Sequence, residues 1–320
     1  MAYPPTEGGD TLDTGNAWAA IYHSEPRAVV LGRAPLRLPG RQIALLGASN
    51  VEVPFPTAAL RPLLPGWRIH NLGLGNANAQ EVAEVADLLL ERVPPAQRSD
   101  LTVVIGIWYG LFIADERRWK GRLTDIEVEG LRYGIYRRSE AGLLPVVAPS
   151  WVDYASFALR PLLAVEVALK NRLGRWRQRI GSGPRDLNAP PLNATEREDA
   201  LRFWAEQVGT PGGRLDDAQF ARLLAMVRRL SGAGARMILL DLPLPSWHRA
   251  QSPSFADYEQ RKRPWLSSAT ALPGVTYRNL QALGDDADFY DEVHPRPPVR
   301  EKWVRSLAEI LNERPAASAN

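Results

Sequence analysis

Three short apolar runs, each closed by glycine, constrain most tightly what this chain can fold into. Gln42-Ile43-Ala44-Leu45-Leu46 runs into Gly47-Ala48-Ser49-Asn50. Trp67-Arg68-Ile69-His70-Asn71-Leu72 runs into Gly73-Leu74-Gly75, and Leu101-Thr102-Val103-Val104-Ile105 into Gly106. Between the second and third runs, Gln80 to Arg92 places Val82, Val85, Leu88 and Leu89 at helical spacing. β-rich runs alternating with helices, with glycine after each run, predict parallel βαβ units. Ligands of open parallel sheets bind beyond the carboxyl ends of the strands. The loops that end these runs are therefore the places to look for chemistry.

The rest of the chain is organised around that rhythm. Residues 1–17 are Pro/Gly-rich and polar, and read as a disordered lead. Ala28-Val29-Val30-Leu31 reads as a short strand, and Leu143-Leu144-Pro145-Val146-Val147 as a further one. Residues 150–215 read as a helical insertion: Leu162, Val165, Leu169, Leu173, Trp176 and Ile180 are helically spaced, and Thr195 to Gln207 forms another helical stretch. The α/β rhythm resumes with a helix from Asp216 to Leu230 and a strand at Arg236-Met237-Ile238-Leu239-Leu240. A strand at Val275-Thr276-Tyr277 and a closing helix from Pro298 to Glu313 complete it. Residues 18–320 thus read as one α/β domain carrying an insertion, a size one core can support.

Composition removes several function classes. The chain has no cysteine, so disulfides, thiolate metal sites and Cys nucleophiles are excluded. The histidines are scattered and form no metal-binding pattern, so no metal and no cofactor is expected. Gly73-Leu74-Gly75 does not continue into a dinucleotide fingerprint, because position 78 is Asn. A net charge of +3 argues against a nucleic-acid partner. No signal peptide opens the chain, and Leu101 to Ala114 is too short for a bilayer span.

Two motifs carry chemistry. A serine on the turn after a strand, as in Gly47-Ala48-Ser49-Asn50, is lifted above the sheet edge with backbone N–H groups following it. On its own such a serine more often caps a helix. The second motif is Asp291-Glu292-Val293-His294-Pro295, just before the closing helix. It supplies a general base and the carboxylate that orients it from one short segment. Of the four histidines, His23, His70, His248 and His294, only His294 has an Asp at this spacing ahead of that helix.

Together, Gly-x-Ser-Asn near the start, Asn71-Leu72-Gly73-Leu74-Gly75 after the second strand and Asp-x-x-His near the end resemble the SGNH/GDSL hydrolase superfamily. The resemblance covers about 41–115 and 216–312 and leaves the insertion unexplained. It implies a three-layer α/β/α fold with a parallel, flavodoxin-like sheet. It implies Ser49 as nucleophile, His294 as general base, Asp291 as its orienter, and oxyanion donors from the Gly73-Leu74-Gly75-Asn76 loop, with the Gly75 N–H foremost.

One element departs from that pattern. Members carry Gly-x-Asn-Asp after the third strand, whereas this chain has Gly106-Ile107-Trp108-Tyr109-Gly110. Trp108 stands where an oxyanion-hole Asn is expected, and losing one such donor costs about 10²–10³ in rate. Either Trp108 or Asn50 takes over as donor, or the site is slow and selective; the other reading is that Trp108 is simply a wall of the pocket. The aromatic strand end, Leu242-Pro243-Leu244-Pro245-Ser246-Trp247 and the Tyr290–His294 loop are similar to the DltD-type branch. That likeness implies an extracytoplasmic, membrane-tethered protein handling D-alanyl or acetyl esters of cell-envelope polymers or polysaccharides beside a membrane-bound O-acyltransferase.

Three functions follow as expectations. The leading one is a serine-dependent esterase or O-acyltransferase. The second is a catalytically silent glycan-binding or scaffold partner of a membrane acyltransferase, and the third a cytosolic lipase-like hydrolase. Tryptophans such as Trp108, Trp119, Trp151 and Trp247 suit either a glycan groove or the core. The basic stretch from Lys170 to Arg179 suits either an anionic membrane or a solvated helix face, and Asp241 is a strand-end site candidate.

Overall fold

The computed structural model describes residues 10–15, 32–114, 136–139, 142–145 and 190–313, with residues 25, 28, 29, 165, 169 and 172 as isolated positions. Its centre is a parallel five-stranded sheet in the order β2-β1-β3-β6-β7. The strands are β1 (Gln42–Leu46), β2 (Arg68–Asn71), β3 (Leu101–Ile107), β6 (Arg236–Asp241) and β7 (Val275–Asn279). This is the doubly wound, flavodoxin-like order, with the chain reversing direction across the sheet between β1 and β3. A separate antiparallel hairpin joins β4 (Tyr136–Ser139) to β5 (Gly142–Pro145).

Every residue of β1 and β3 is buried, as expected of strands covered on both faces. Alternate residues feed two cores. Ala44, Leu46, Val103, Ile105, Met237 and Leu239 face one core. That layer holds α3 (Ala79–Arg92), α5 (Asp217–Gly232) and α7 (Pro253–Thr270). Ile43, Leu45, Val104, Ile238 and Leu240 face the other, packed by α8 (Pro297–Asn312) and by Phe55 and Leu60. The three-layer α/β fold follows directly from this alternation.

Two short helices lie between β1 and β2: α1 (Ser49–Glu52) and α2 (Thr57–Leu60). The expected helices at 195–207, 216–230 and 298–313 form as α4 (Ala194–Val208), α5 and α8. α4 begins at a capping box made by Asn193 and Glu196 and ends at Gly209, whose φ of 59° needs a glycine. The helix α6 (Ser246–Gln251) and the long α7 were not expected from the sequence.

Several expectations are corrected. Of the strand read at 28–31, Ala28 and Val29 are helical instead, and residues 30 and 31 lie outside the described residues. The strand read at 143–147 exists as Gly142–Pro145, but in the hairpin and not in the main sheet. The disordered lead does not extend through residues 10–15. Leu12 is fully buried, Asn71 N–H donates to its carbonyl at 2.8 Å, and Thr14 N–H donates to the Asn71 carbonyl at 3.0 Å. This segment covers the open edge of β2. It also carries Asp13, whose carboxylate accepts from Thr57 N–H and Oγ1–H at 2.7 and 2.8 Å. Of the insertion, Val165, Leu169 and Arg172 are exposed helical positions and α4 is described; the rest of 150–189 lies outside the described residues. Among the described residues no helix is long and apolar enough to cross a membrane.

Candidate active site

The strand register brings the motifs together. Leu46 pairs with Ile105, and Ile107 pairs with Asp241. Ser49 and Trp108 each lie three residues beyond the Leu46–Ile105 pair, just past the ends of adjacent strands at the carboxyl edge of the sheet.

Glycine sets the pose of Ser49. A Cβ at Gly106 would sit 2.1 Å from Val51 Cγ2, and one at Gly47 would sit 2.4 Å from the same atom. Only glycines let α1 drop this close to β1 and β3, with Ser49 as its first residue. Asn71 ties down the other end of α1. Its Nδ2 donates to the carbonyls of Glu52 and Phe55 at 3.1 and 2.9 Å, while Oδ1 accepts from Gly73 N–H at 3.0 Å.

His294 arrives from the far end of the chain. His294 Nε2 lies 2.8 Å from Ser49 Oγ, and His294 Nδ1 lies 2.7 Å from Asp291 Oδ2. The other carboxylate oxygen of Asp291 accepts from the backbone N–H of His294 and Val293 at 2.7 and 2.9 Å. Burial raises the Asp291 pKa, but the hydrogen bonds and charge of His294 and these two N–H groups outweigh it and hold the carboxyl below its ordinary range. A carboxylate acceptor at Nδ1 places the proton there and leaves Nε2 to accept from the serine. The loop is closed at its base by an antiparallel bridge between Phe289 and Pro295, and Tyr290 stacks on the His294 ring at 5.7 Å.

The expected oxyanion residues divide into two groups. Asn50 and Trp108 are buried, 1 % and 3 % exposed, and the Asn50 side-chain amide and the Trp108 indole N–H have no hydrogen-bond partner among the described residues. An unpaired buried donor costs about 1–3 kcal/mol, so the fold holds each of these two at a cost of that order. The Trp108 ring itself lies over Gly110 and meets Trp204 edge-on at 5.0 Å.

Gly75 differs, because its N–H donates to the Glu25 carboxylate. Burial raises the Glu25 pKa, against the pull of that N–H, and Glu81 adds to the rise. Glu52 is raised to about 8 by burial and by the charges of Glu25 and Asp13. Asn76 follows Gly75 in a left-handed conformation, φ 57°, and is half-buried.

Two other candidates prove to be structural. Asp241 is fully buried and accepts from Lys262 Nζ at 2.6 Å, Tyr277 O–H at 2.9 Å and Tyr258 O–H at 3.2 Å, which pins α7 to β6 and β7. Trp108 and Trp247 are buried, as are Trp204, Trp265 and Trp303, so they build no open glycan groove; Trp119 and Trp151 lie outside the described residues. Among the described residues no cluster of histidines and carboxylates is arranged to hold a metal.

His248 was not singled out in the sequence beyond being one of four histidines. It is fully buried, with Nδ1 2.9 Å from the Glu292 carbonyl and Nε2 2.6 Å from Tyr109 Oη. Its only sequence signal is its place after the Pro-x-Pro-x-Trp segment at the end of β6.

No protein-family model matches the chain, and comparison with curated proteins finds no match.

Proposed function

We propose that this protein is a serine-dependent esterase or O-acyltransferase. The observation that carries the reading is the unbroken line from Ser49 Oγ to His294 to Asp291, with links of 2.8 and 2.7 Å. Ser49 Oγ attacks an acyl carbonyl as His294 Nε2 takes its proton, and Asp291 stabilises the imidazolium. The tetrahedral oxyanion is met by donors at the carboxyl edge, with Asn50 first. Collapse expels the alcohol, which takes the proton back from His294, and leaves an acyl group on Ser49. Water or a sugar hydroxyl then attacks that ester, with His294 again as base, and releases the acid or the new ester.

On the DltD-type resemblance, the substrates are D-alanyl or acetyl esters of cell-envelope polymers or polysaccharides. On the same resemblance the protein works outside the cytoplasm, tethered beside a membrane-bound O-acyltransferase. Turnover of p-nitrophenyl acetate and related esters by the wild type, with Ser49→Ala and His294→Ala at background, is the expected result. Equal turnover in all three would remove the reading.

One observation favours a second reading, a silent glycan-binding partner of such an acyltransferase. The Gly75 N–H, the first donor the resemblance implies, is engaged by Glu25. Polysaccharide binding that survives Ser49→Ala, in a wild type that transfers no acyl group, would select it.

A further inference from the structure

The ties within the 289–295 loop do not fix how close His294 comes to Ser49. The Phe289–Pro295 bridge, the Tyr290 N–H to His294 carbonyl bond and the two backbone bonds to Asp291 all lie inside the loop. From outside, Arg296 Nε donates to the Phe289 carbonyl at 3.2 Å at the base of the loop, and two ties from distant elements land on Glu292. Trp204 Nε1–H donates to its side chain at 3.3 Å, and His248 holds its backbone carbonyl at 2.9 Å.

The protonation pattern of His248 follows from its partners. A carbonyl only accepts, so Nδ1 carries the proton. Burial lowers the His248 pKa to about 4, although the Glu292 carbonyl and the Asp291 charge pull upward. The ring is therefore neutral near pH 7, Nε2 has no proton, and the Tyr109 hydroxyl donates to it at 2.6 Å. The imidazole is also stacked on Trp247 at 5.3 Å, and the Tyr109 ring meets it edge-on at 5.5 Å. Tyr109 lies two residues beyond β3, at the start of the 3-10 turn Tyr109–Phe112, and β3 is registered against the β1 strand that leads to Ser49.

We propose that Tyr109 and His248 form a positioning pair for the catalytic base: Tyr109 fixes the tautomer of His248, and His248 anchors the Glu292 peptide so that His294 stays within reach of Ser49. The proposal rests on the serine-hydrolase reading of the site. It makes β3 a common reference for both halves of the relay, one through the β1 register and one through Tyr109–His248–Glu292. A misplacement of about 1 Å in such a relay costs about 10²-fold in rate.

The test compares wild type, His248→Phe, His248→Asn and Tyr109→Phe. Each is followed by the rate of fluorophosphonate inactivation across pH and by the downfield proton NMR signal of the His294–Asp291 hydrogen bond. His248→Phe keeps a ring against Trp247 but loses both polar ties. It is expected to slow inactivation by about 10–100-fold and to broaden the downfield proton. His248→Asn keeps an N–H for the Glu292 carbonyl and is expected to recover most of the rate and the signal. Tyr109→Phe, which removes one hydroxyl, falls between them.

A folded His248→Phe protein with wild-type inactivation and an unchanged downfield proton overturns the proposal. If that variant does not fold, Tyr109→Phe decides by the same two readings. If the wild type itself is not labelled, the hydrolase reading has failed, and the downfield proton alone still shows whether the pair positions His294.

Discussion

His294 Nε2 and Ser49 Oγ are 245 residues apart in the chain and 2.8 Å apart in space. That approach is built from both ends. On one side, α1 is wedged against Gly47 and Gly106 and roped by Asn71. On the other, a bridged loop carries its own orienting carboxylate. Each component predicts a measurable consequence.

Asp291→Asn removes the charge that steadies the imidazole and presents an amide in place of the carboxylate acceptor. The wrong tautomer then faces Ser49, and kcat is expected to fall about 10⁴-fold with the fold retained. Stopped-flow ester hydrolysis together with circular dichroism checks both halves of the statement.

Gly106→Ala drives a methyl group into Val51 Cγ2 and Leu242 Cδ1. Overpacking of this kind costs about 1–3 kcal/mol, and it should push Ser49 off line, lowering activity further than stability alone explains. Adding Val51→Ala makes room, so the double variant should regain activity that neither stability nor expression accounts for. A double-mutant cycle showing simple additivity would argue against the wedge.

Asn50→Ala separates function from stability. The Asn50 amide is buried without a partner among the described residues, so its removal should leave the melting temperature unchanged or raise it. If Asn50 serves the oxyanion, the acylation rate falls about 10²–10³-fold. A stable variant with an unaltered rate would transfer that role elsewhere in the site.

Stability should decline on both sides of a mildly acidic optimum. Burial lowers His70 to about 3 and His248 to about 4, from an ordinary 6.5. The unfolded chain therefore binds protons that the folded one refuses, and stability falls as pH drops below about 6.5. Each imidazole contributes a slope of up to about 1.4 kcal/mol per pH unit. Glu52 has the opposite sign. Raised from 4.5 to about 8, it keeps a proton the unfolded chain has lost, and its contribution drains away as pH rises from 4.5 through 8. Between about 4.5 and 6.5 the single Glu52 offsets only part of the two imidazoles, so stability still rises toward about 6.5 and falls above it. Urea midpoints measured across pH should show this shape, and Glu52→Gln should flatten the alkaline side and steepen the acid side between about 4.5 and 6.5.

Ser49, Asp291 and His294 were legible in the sequence because each sits in a short motif whose spacing is itself the chemistry. The sheet was legible for a similar reason: doubly buried parallel strands read as unbroken apolar runs, and β1, β3 and β6 are such runs. α7 was hidden because it carries Pro264 and little apolar striping, its burial coming from scattered residues such as Tyr258, Lys262 and Trp265. The packing of residues 10–15 was hidden because a polar, Gly-rich segment gives no sign that its backbone will cover a strand edge. Tyr109 and His248 were hidden because their significance is entirely tertiary, a hydrogen bond across 139 residues.

The central claim is that Ser49 is a nucleophile activated by His294. Intact-protein mass spectrometry after fluorophosphonate treatment, followed by peptide mapping, tests it most directly. The account predicts a single adduct per chain, mapped to Ser49, absent in Ser49→Ala and strongly slowed in His294→Ala. A wild-type protein that stays unmodified, or an adduct formed equally fast without His294, would contradict it.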